Sequence, residues 1–296
     1  MNSSTGISRS VLLGLTVGMA WFGEPGHTAP PSIPLPNRYR CTVETLMYQG
    51  SSQATLRYIS TTQQRVWRWN NAYRVEQVRG RTKEGRPESA FTPEPKSSQV
   101  TLNNGDGTDS EFYYRPEERR AKPSLEAVQI WFAKRYPARW RARYGDRQPQ
   151  VACSHQLEIF DPKTPTGNPS AKIDPVSKLA KLFGKPCRIY QVTFHPLTSV
   201  SGTTNPKEWI IARHWKEERT GLTLRSDTIM EALGGDGKPV RVLRAITTTR
   251  ELQLDPPKDA SLLELPAGTT CEVYDYPLRL PPGVIRRQVS GPGIEL

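Results

Sequence analysis

Histidine and acidic side chains are the groups in this sequence best suited to acid–base chemistry, and none forms a catalytic motif. His155, His195 and His214 each stand alone in strand-like segments, which favours structural roles. The acidic residues at 217–218 and 255–259 fall in predicted turns, where acids are common. The sequence contains no nucleophile elbow, paired-histidine zinc motif, phosphate loop or dinucleotide fingerprint. We therefore predict no enzyme activity, no catalytic residue, no cofactor and no metal.

Aromatic and apolar side chains on predicted strands are the better candidates for a site, because they could line an apolar cavity. The strand positions whose parity allows them to face one lumen are those of Trp67, Trp69, Tyr113, Trp209 and Trp215. Further apolar candidates for the same wall are Phe132, Leu222 and Leu224. Such a wall would suit hydrocarbon, since burial of each methylene contributes about 0.8 kcal/mol. The alternative is that each tryptophan is an ordinary core residue.

The four cysteines suggest disulfides in an oxidising compartment. They are widely spaced, at Cys41, Cys153, Cys187 and Cys271. An even count in an exported chain indicates pairing. Cys153 and Cys187 lie on neighbouring strand-like segments, which favours that pair and leaves Cys41 with Cys271 to join the ends of the domain. The alternative is four buried thiols. A zinc site is not indicated, because the sequence has no Cys-x-x-Cys motif.

The N-terminus has the pattern of a secretory signal peptide. Arg9 precedes the apolar run 11–22, which is shorter than the roughly 20 apolar residues that span a bilayer. Small residues at Gly18 and Ala20 favour cleavage after Ala20. We therefore expect a periplasmic or secreted protein, the alternative being a disordered hydrophobic leader. The following prolines predict an extended tether over residues 21–37.

The net charge of +12 limits the classes of partner. A basic excess suits nucleic acid, an anionic membrane surface, an acidic partner or a merely solubilising surface. The charges are scattered through predicted strands and no groove-reading motif accompanies them, so we predict no nucleic-acid binding. Transient membrane-surface contact and an envelope protein partner remain compatible with the sequence. We expect a monomer.

The stretch 209–268 predicts consecutive antiparallel hairpins. Runs rich in β-branched and aromatic residues begin at Trp209, Leu222 and Val240, and glycine or aspartate turns separate them. Shorter strand patterns begin at Arg38, Ala54, Val66, Tyr73, Val100, Glu111, Val151 and Cys187. Strands of this number, with 27 prolines and 22 glycines, favour a mainly β chain over a helical one.

One amphipathic helix is predicted after Pro123-Ser124, with apolar residues at helical spacing up to Tyr136 and a break at Pro137. The basic residues at its far end suit the helix dipole, the alternative being a binding patch. We therefore predict a mainly β (α+β) domain at 38–276, in which a single curved antiparallel sheet of roughly ten strands forms an unclosed β-barrel around this helix. The residues from 277 to 296 are predicted to be an irregular tail.

Two ordered sets of short motifs give the chain a resemblance to a known superfamily. The first is Tyr73-Arg74-Val75-Glu76 followed by the Gly105-Asp106-Gly107 turn and Phe112 to Glu117. The second is Trp215 before an acidic turn, Thr220 to Arg225, a basic hairpin and Leu262 to Gly268. Over residues 38–270 this order resembles the LolA/LolB-like superfamily. Its members include the outer-membrane lipoprotein-sorting carriers and the lipid-binding N-terminal domain of RseB-type regulators.

This resemblance implies an unclosed β-barrel wrapped around a helix, with an apolar cavity that takes acyl chains of a lipid or lipoprotein. The cysteines and the loop at 161–175 are additions to the superfamily pattern. Two classes of function follow as hypotheses. One is an extracytoplasmic lipid or lipoprotein binder, and the other is an envelope interaction or sensor module with the same fold and a filled core.

Overall fold

Fourteen β-strands join in one large sheet in the computed structural model of the chain. The structure describes residues 36–83, 90–105, 111–147, 157, 172–194, 207–273, 280 and 283–288. The first seven strands are β1 (Arg38–Gly50), β2 (Arg57–Trp69), β3 (Ala72–Thr82), β4 (Phe91–Pro93), β5 (Gln99–Asn103), β6 (Glu111–Arg115) and β7 (Arg120–Pro123). The others are β8 (Lys172–Leu182), β9 (Lys185–Phe194), β10 (Lys207–Glu217), β11 (Thr223–Leu233), β12 (Pro239–Leu254), β13 (Thr270–Val273) and β14 (Ile285–Gln288).

The N-terminal strand β1 lies in the middle of this sheet. The strand order is β14-β13-β7-β6-β5-β3-β2-β1-β12-β11-β10-β9-β8, and β4 pairs with β3 outside this path. β1 pairs with β2 on one side and with β12 on the other. The chain is therefore a mainly β protein with one mixed sheet that is not closed.

The sheet differs from the sequence prediction in strand number and in direction. Within the described residues it has fourteen strands instead of roughly ten. It is also not wholly antiparallel, because β13 runs parallel to both β7 and β14. The physical reason is that the chain leaves β12 in the middle of the sheet and crosses to the far edge. Such a crossover allows parallel pairing, which a hairpin does not.

The antiparallel hairpins predicted from Trp209 onward are confirmed as the meander β10 to β12, and β9 pairs antiparallel with β10 beside it. Its last strand is longer than expected because a bulge between Arg250 and Gln253 keeps it paired with β1 as far as Tyr39. Glu251 has a positive φ of 51° in this bulge. The segment predicted to close the meander differs, since it begins with a 3-10 turn at Ala260–Leu263. The tail predicted to be irregular contributes β14.

Two short helices follow β7. The first, α1 (Leu125–Arg135), begins where the sequence predicted, because the Ser124 hydroxyl accepts a hydrogen bond from the Ala127 N–H at 3.0 Å. Pro137 ends it and starts the second helix, α2 (Pro137–Tyr144). Of the helices that the structure describes, neither combines the length and the hydropathy that a membrane span needs.

Buried apolar side chains form separate clusters on the two faces of the sheet. The first cluster contains Val100, Leu102, Phe112, Tyr114, Ala121, Val128, Leu265, Cys271 and Val273, with Trp131 packed against it. The second contains Tyr39, Cys41, Val43, Val66, Tyr73, Val75, Leu157 and Leu222, and the third Val192, Ile210 and Met230. Helix α1 therefore packs on the sheet through Val128 and Trp131, at the end that contains β5 to β7.

Several sequence expectations lie outside the described residues. They are the signal peptide at 1–20, the tether up to residue 35, Cys153, His155, His195 and all of the predicted 151–160 strand except Leu157.

Candidate functional site

Four of the five candidate aromatic residues share one face of the sheet. One row of paired residues runs across five strands from Phe112 through Leu102, Arg74 and Trp67 to Arg40. Another row runs from Gln63 through Glu44, Thr248 and Arg225 to Trp215. Because alternate residues of a strand share a face, Trp67, Trp69, Trp209 and Trp215 all lie on this face. We call it the tryptophan face, and α1 packs against it through the first cluster.

The other predicted wall residues lie elsewhere. Tyr113 pairs with Thr101, and the row continues through Val75 and Val66 to Cys41. Tyr113 is therefore on the opposite face, so the expectation that all five aromatic residues share one face does not hold. Leu224 has the same strand parity as Met230 of the third cluster and also lies opposite. Leu222 precedes β11 and belongs to the second cluster, which is on that opposite face too. Phe132 packs on Tyr136 within the helical segment, with ring centroids 5.3 Å apart.

Trp67 and Trp69 are covered by the chain itself. Both pack with Leu262 and Leu263 of the 3-10 turn in a fourth apolar cluster. The Arg74 guanidinium holds this turn in place, because its Nη1 donates to the Leu262 carbonyl at 3.2 Å. The indole Nε1 of Trp69 donates to the Pro256 carbonyl at 3.3 Å. These two tryptophans therefore have the packing of core residues.

Trp215 has a different environment, since it is half-buried and lies beside a cation. The guanidinium carbon of Arg225 lies 5.1 Å from the centroid of its ring, within the range of a cation–π interaction. Arg225 is also half-buried. Its Nε is buried without a hydrogen-bond partner, and Arg225 forms no ion pair with any residue that the structure describes. A half-buried guanidinium without an acid is a potential partner for an anion.

The middle of the tryptophan face contains buried charged side chains. Glu44 is 1% exposed, and its carboxylate accepts hydrogen bonds from Arg250 at 2.9 Å and from Gln63 at 3.3 Å. In the neighbouring strands, Arg244 donates two hydrogen bonds to Asp227 at 2.8 and 2.6 Å. The hydrogen bond to Asp227 raises the pKa of Arg244. We call Glu44, Gln63, Asp227, Arg244 and Arg250 the charged centre. Each acid in it is neutralised, and Arg225 has no counter-ion among the described residues.

A buried acid that sequence analysis did not single out lies at the start of α1. Glu111 is 2% exposed, and its Oε2 has no hydrogen-bond partner among the described residues. Burial raises its pKa to about 7, and the charge of Glu126 adds to the effect, while a hydrogen bond from Ser124 opposes it. Burial likewise raises the pKa of the nearby Tyr113 to about 12. In the sequence, Glu111 has the same strand parity as Tyr113, so the two side chains share a face of β6. Nothing in the sequence indicated that this face is buried at Glu111.

His214 is the one histidine among the residues that the structure describes. His214 lies on β10 opposite Ser226 and Tyr190, on the face away from Trp215. Burial lowers its pKa to about 4, so that its imidazole is neutral at pH 7. Among the residues that the structure describes, no group of three or more histidine, cysteine, aspartate or glutamate side chains could hold a metal ion.

The predicted disulfides are not present. Cys187 and Cys271 are free thiols, each 0% exposed. Cys41 belongs to the second cluster and Cys271 to the first, and these clusters lie on opposite faces of the sheet, which explains why they do not pair. Burial raises the pKa of Cys271 to about 11, and burial together with the charge of Glu217 raises the pKa of Cys187. These thiols therefore remain protonated near neutral pH.

We expect Cys187 and Cys271 to resist alkylation in the native protein and to react once it is unfolded, without a reductant. The reason is that neither thiol is exposed and neither is ionised near pH 8. Peptide mapping after treatment with iodoacetamide in buffer and in urea measures this. A disulfide-linked peptide containing either cysteine would contradict it.

No protein-family model matches the chain, and no curated protein matches it. Among solved structures, the dehydratase domain from the CurJ module of Curacin polyketide synthase aligns with 11% sequence identity. The alignment covers 76% of this chain and 77% of that chain, with a TM-score of 0.15. A TM-score this low carries no argument about fold or function.

Proposed function

We propose that the chain is an exported, non-enzymatic binding protein that holds the acyl chains of a lipid or lipoprotein against the tryptophan face. In this proposal it is a relative of the LolA/LolB-like carriers, and its sheet forms an unclosed barrel around α1. The sequence features of the signal peptide and of the ordered LolA-like motifs support the proposal. The proposal is also supported by the sheet, which is not closed and has α1 packed on the same face as the four tryptophans.

The observation that carries the proposal is the pair formed by Trp215 and Arg225. A half-buried aromatic ring offers apolar area to a hydrocarbon chain. The adjacent guanidinium has no acid among the described residues, and it would pair with the carboxylate or phosphate of an amphiphile. Trp209 lies on the same strand and the same face, which extends the aromatic surface along β10. One end of the ligand would thus be fixed by charge and the other by burial.

A second candidate is an envelope interaction or sensor module with the same fold. The charged centre favours it, because ion-paired Glu44 and Asp227 give hydrocarbon little apolar area in the middle of the face. Native mass spectrometry of protein purified without detergent separates the two. Retained lipid supports the binder, whereas protein without lipid that captures an envelope protein supports the module.

We expect Arg225→Gln to weaken binding of a fluorescent fatty acid by about tenfold or more, since a hydrogen bond to a charged group contributes about 1.5–3 kcal/mol. Fluorescence titration measures this, with Arg57→Gln as a control at an exposed arginine on β2. Trp215→Ala should also weaken binding. Wild-type protein that does not take up the probe would contradict the proposed function. Equal affinity of the two arginine variants would exclude Arg225 from the site.

A further inference from the structure

The segment 134–147 is the most basic part of the described surface. It contains six basic residues, Lys134, Arg135, Arg139, Arg141, Arg143 and Arg147, and one acid, Asp146, so its net charge is 6 − 1 = +5. It covers the end of α1 and all of α2. The single buried residue of α2 is Trp140, whose Nε1 donates to the Arg147 carbonyl at 2.6 Å. The other side chains of this helix are exposed or half-exposed, so α2 is displayed on the surface.

Three of these arginines lie over tyrosine rings. The guanidinium carbons of Arg135 and Arg139 are 5.9 and 5.5 Å from the ring centroid of Tyr136, and that of Arg143 is 5.6 Å from the centroid of Tyr144. None of the three forms an ion pair with a residue in the described ranges. A neighbouring arginine, Arg141, does have an acidic partner, since its Nε lies 3.7 Å from the Oδ1 of Asp146. The three guanidinium groups therefore lie beside aromatic rings, and within the described ranges no acid neutralises them.

We propose that this arginine–tyrosine patch, formed by Arg135, Tyr136, Arg139, Arg143 and Tyr144, docks on the surface of an anionic phospholipid bilayer. Arginine recognises phosphate through paired N–H donors, and each basic residue near an anionic bilayer adds to binding. Tyrosine suits the interface because its ring is apolar and its hydroxyl is polar. Tyr136 is 39% exposed, so part of its ring already faces solvent. The inference rests on the proposed function, for which it supplies the membrane contact where lipid is collected or delivered.

The same features disfavour a nucleic acid as the partner. Proteins that bind single-stranded nucleic acid stack its bases on open aromatic faces. Here the rings of Tyr136 and Tyr144 are approached by guanidinium groups, and the remaining aromatic residue of α2, Trp140, is 8% exposed. The patch thus offers phosphate-binding groups without a stacking platform, which fits a sheet of lipid phosphates.

The test is sedimentation of the full chain with vesicles of phosphatidylcholine that contain about 30 mol% phosphatidylglycerol, and with pure phosphatidylcholine. We expect wild-type protein to bind the anionic vesicles only, and to be released at about 0.5 M salt, where screening is short-ranged. The triple variant Arg135→Gln/Arg139→Gln/Arg143→Gln should bind roughly 100-fold more weakly. All three side chains are exposed, so the variant should fold as the wild type does.

The matched control is Arg57→Gln/Arg81→Gln/Arg219→Gln, which removes the same charge from exposed positions elsewhere. This control variant should lose only a small part of its affinity for the anionic vesicles. Equal losses in the two triple variants would overturn the proposal, because net charge alone would then explain binding. Absence of binding to anionic vesicles, or tighter binding to single-stranded RNA, would also overturn it. Uptake of a fluorescent fatty acid should be unchanged in both variants, so this readout tests the proposed function independently.

Discussion

Replacement of Glu111 by glutamine is expected to stabilise the protein at pH 8 by about 3 kcal/mol and to leave its stability near pH 4 almost unchanged. The pKa of Glu111 is raised from 4.5 to about 7 by burial, and each pKa unit corresponds to about 1.4 kcal/mol. The folded state therefore binds a proton that the unfolded state releases. The stabilisation that comes from this bound proton is fully present below pH 4.5 and is lost as the pH rises through 7. Glutamine mimics the protonated acid at every pH.

Urea denaturation of the two proteins at several pH values between 4 and 8 measures this difference, with unchanged m values as a requirement. Glu126→Gln is the matched control, because the charge of Glu126 contributes less than burial to the pKa shift of Glu111. Glu126→Gln should also raise the free energy of unfolding at pH 8, but by less than Glu111→Gln does. A difference between wild type and Glu111→Gln that does not vary with pH would contradict the buried, ionisable state of Glu111.

Replacement of Glu44 by alanine is expected to lower the free energy of unfolding by about 3 kcal/mol, since removal of one partner from a buried ion pair leaves a buried charge without compensation. Glu44 is 1% exposed, and its loss removes hydrogen bonds from both Arg250 and Gln63. The Nε of Arg250 is already buried without a partner. The variant would thus leave Arg250 with its ring contact to Phe183 as its main interaction.

Two further variants separate this cost from simple loss of packing. Glu44→Met/Arg250→Met should recover most of the stability, because apolar groups of similar volume replace a buried pair with little cost. Asp227→Ala should cost less than Glu44→Ala, because the Arg244 side chain is 34% exposed and reaches water more easily than that of Arg250, which is 25% exposed. If Glu44→Met/Arg250→Met loses as much stability as Glu44→Met and Arg250→Met lose in sum, that result would contradict coupling between Glu44 and Arg250.

Local signals in the sequence were enough to predict the helix and the meander. Ser124 before an apolar helical pattern marked the start of α1, and turns between β-branched runs marked β10 to β12. The pairing of β1 with β12 was not predictable in this way, because Tyr39 and Leu254 are far apart in sequence. The parallel pairing of β13 with β7 was not predictable either, because it needs a crossover connection that no turn motif indicates.

The candidate site was only partly predictable for a related reason. Parity within one strand shows which of its residues share a face, but comparison between strands requires the register. For this reason Tyr113 was grouped with Trp67, although the two lie on opposite faces. The charged centre was missed because Glu44 and Arg250 are 206 positions apart. Arg225 belongs to the motif that begins at Thr220, but its contact with Trp215 follows from the pairing of β10 with β11.

The central place of β1 has a consequence for biogenesis. During synthesis β1 and β2 emerge early, but the second partner of β1 is made only when β12 has been translated. A topology of such high contact order folds slowly, since a long loop must close before its contacts form. The nascent N-terminal half therefore carries an open strand edge for most of its synthesis, a template for misassociation unless a chaperone shields it.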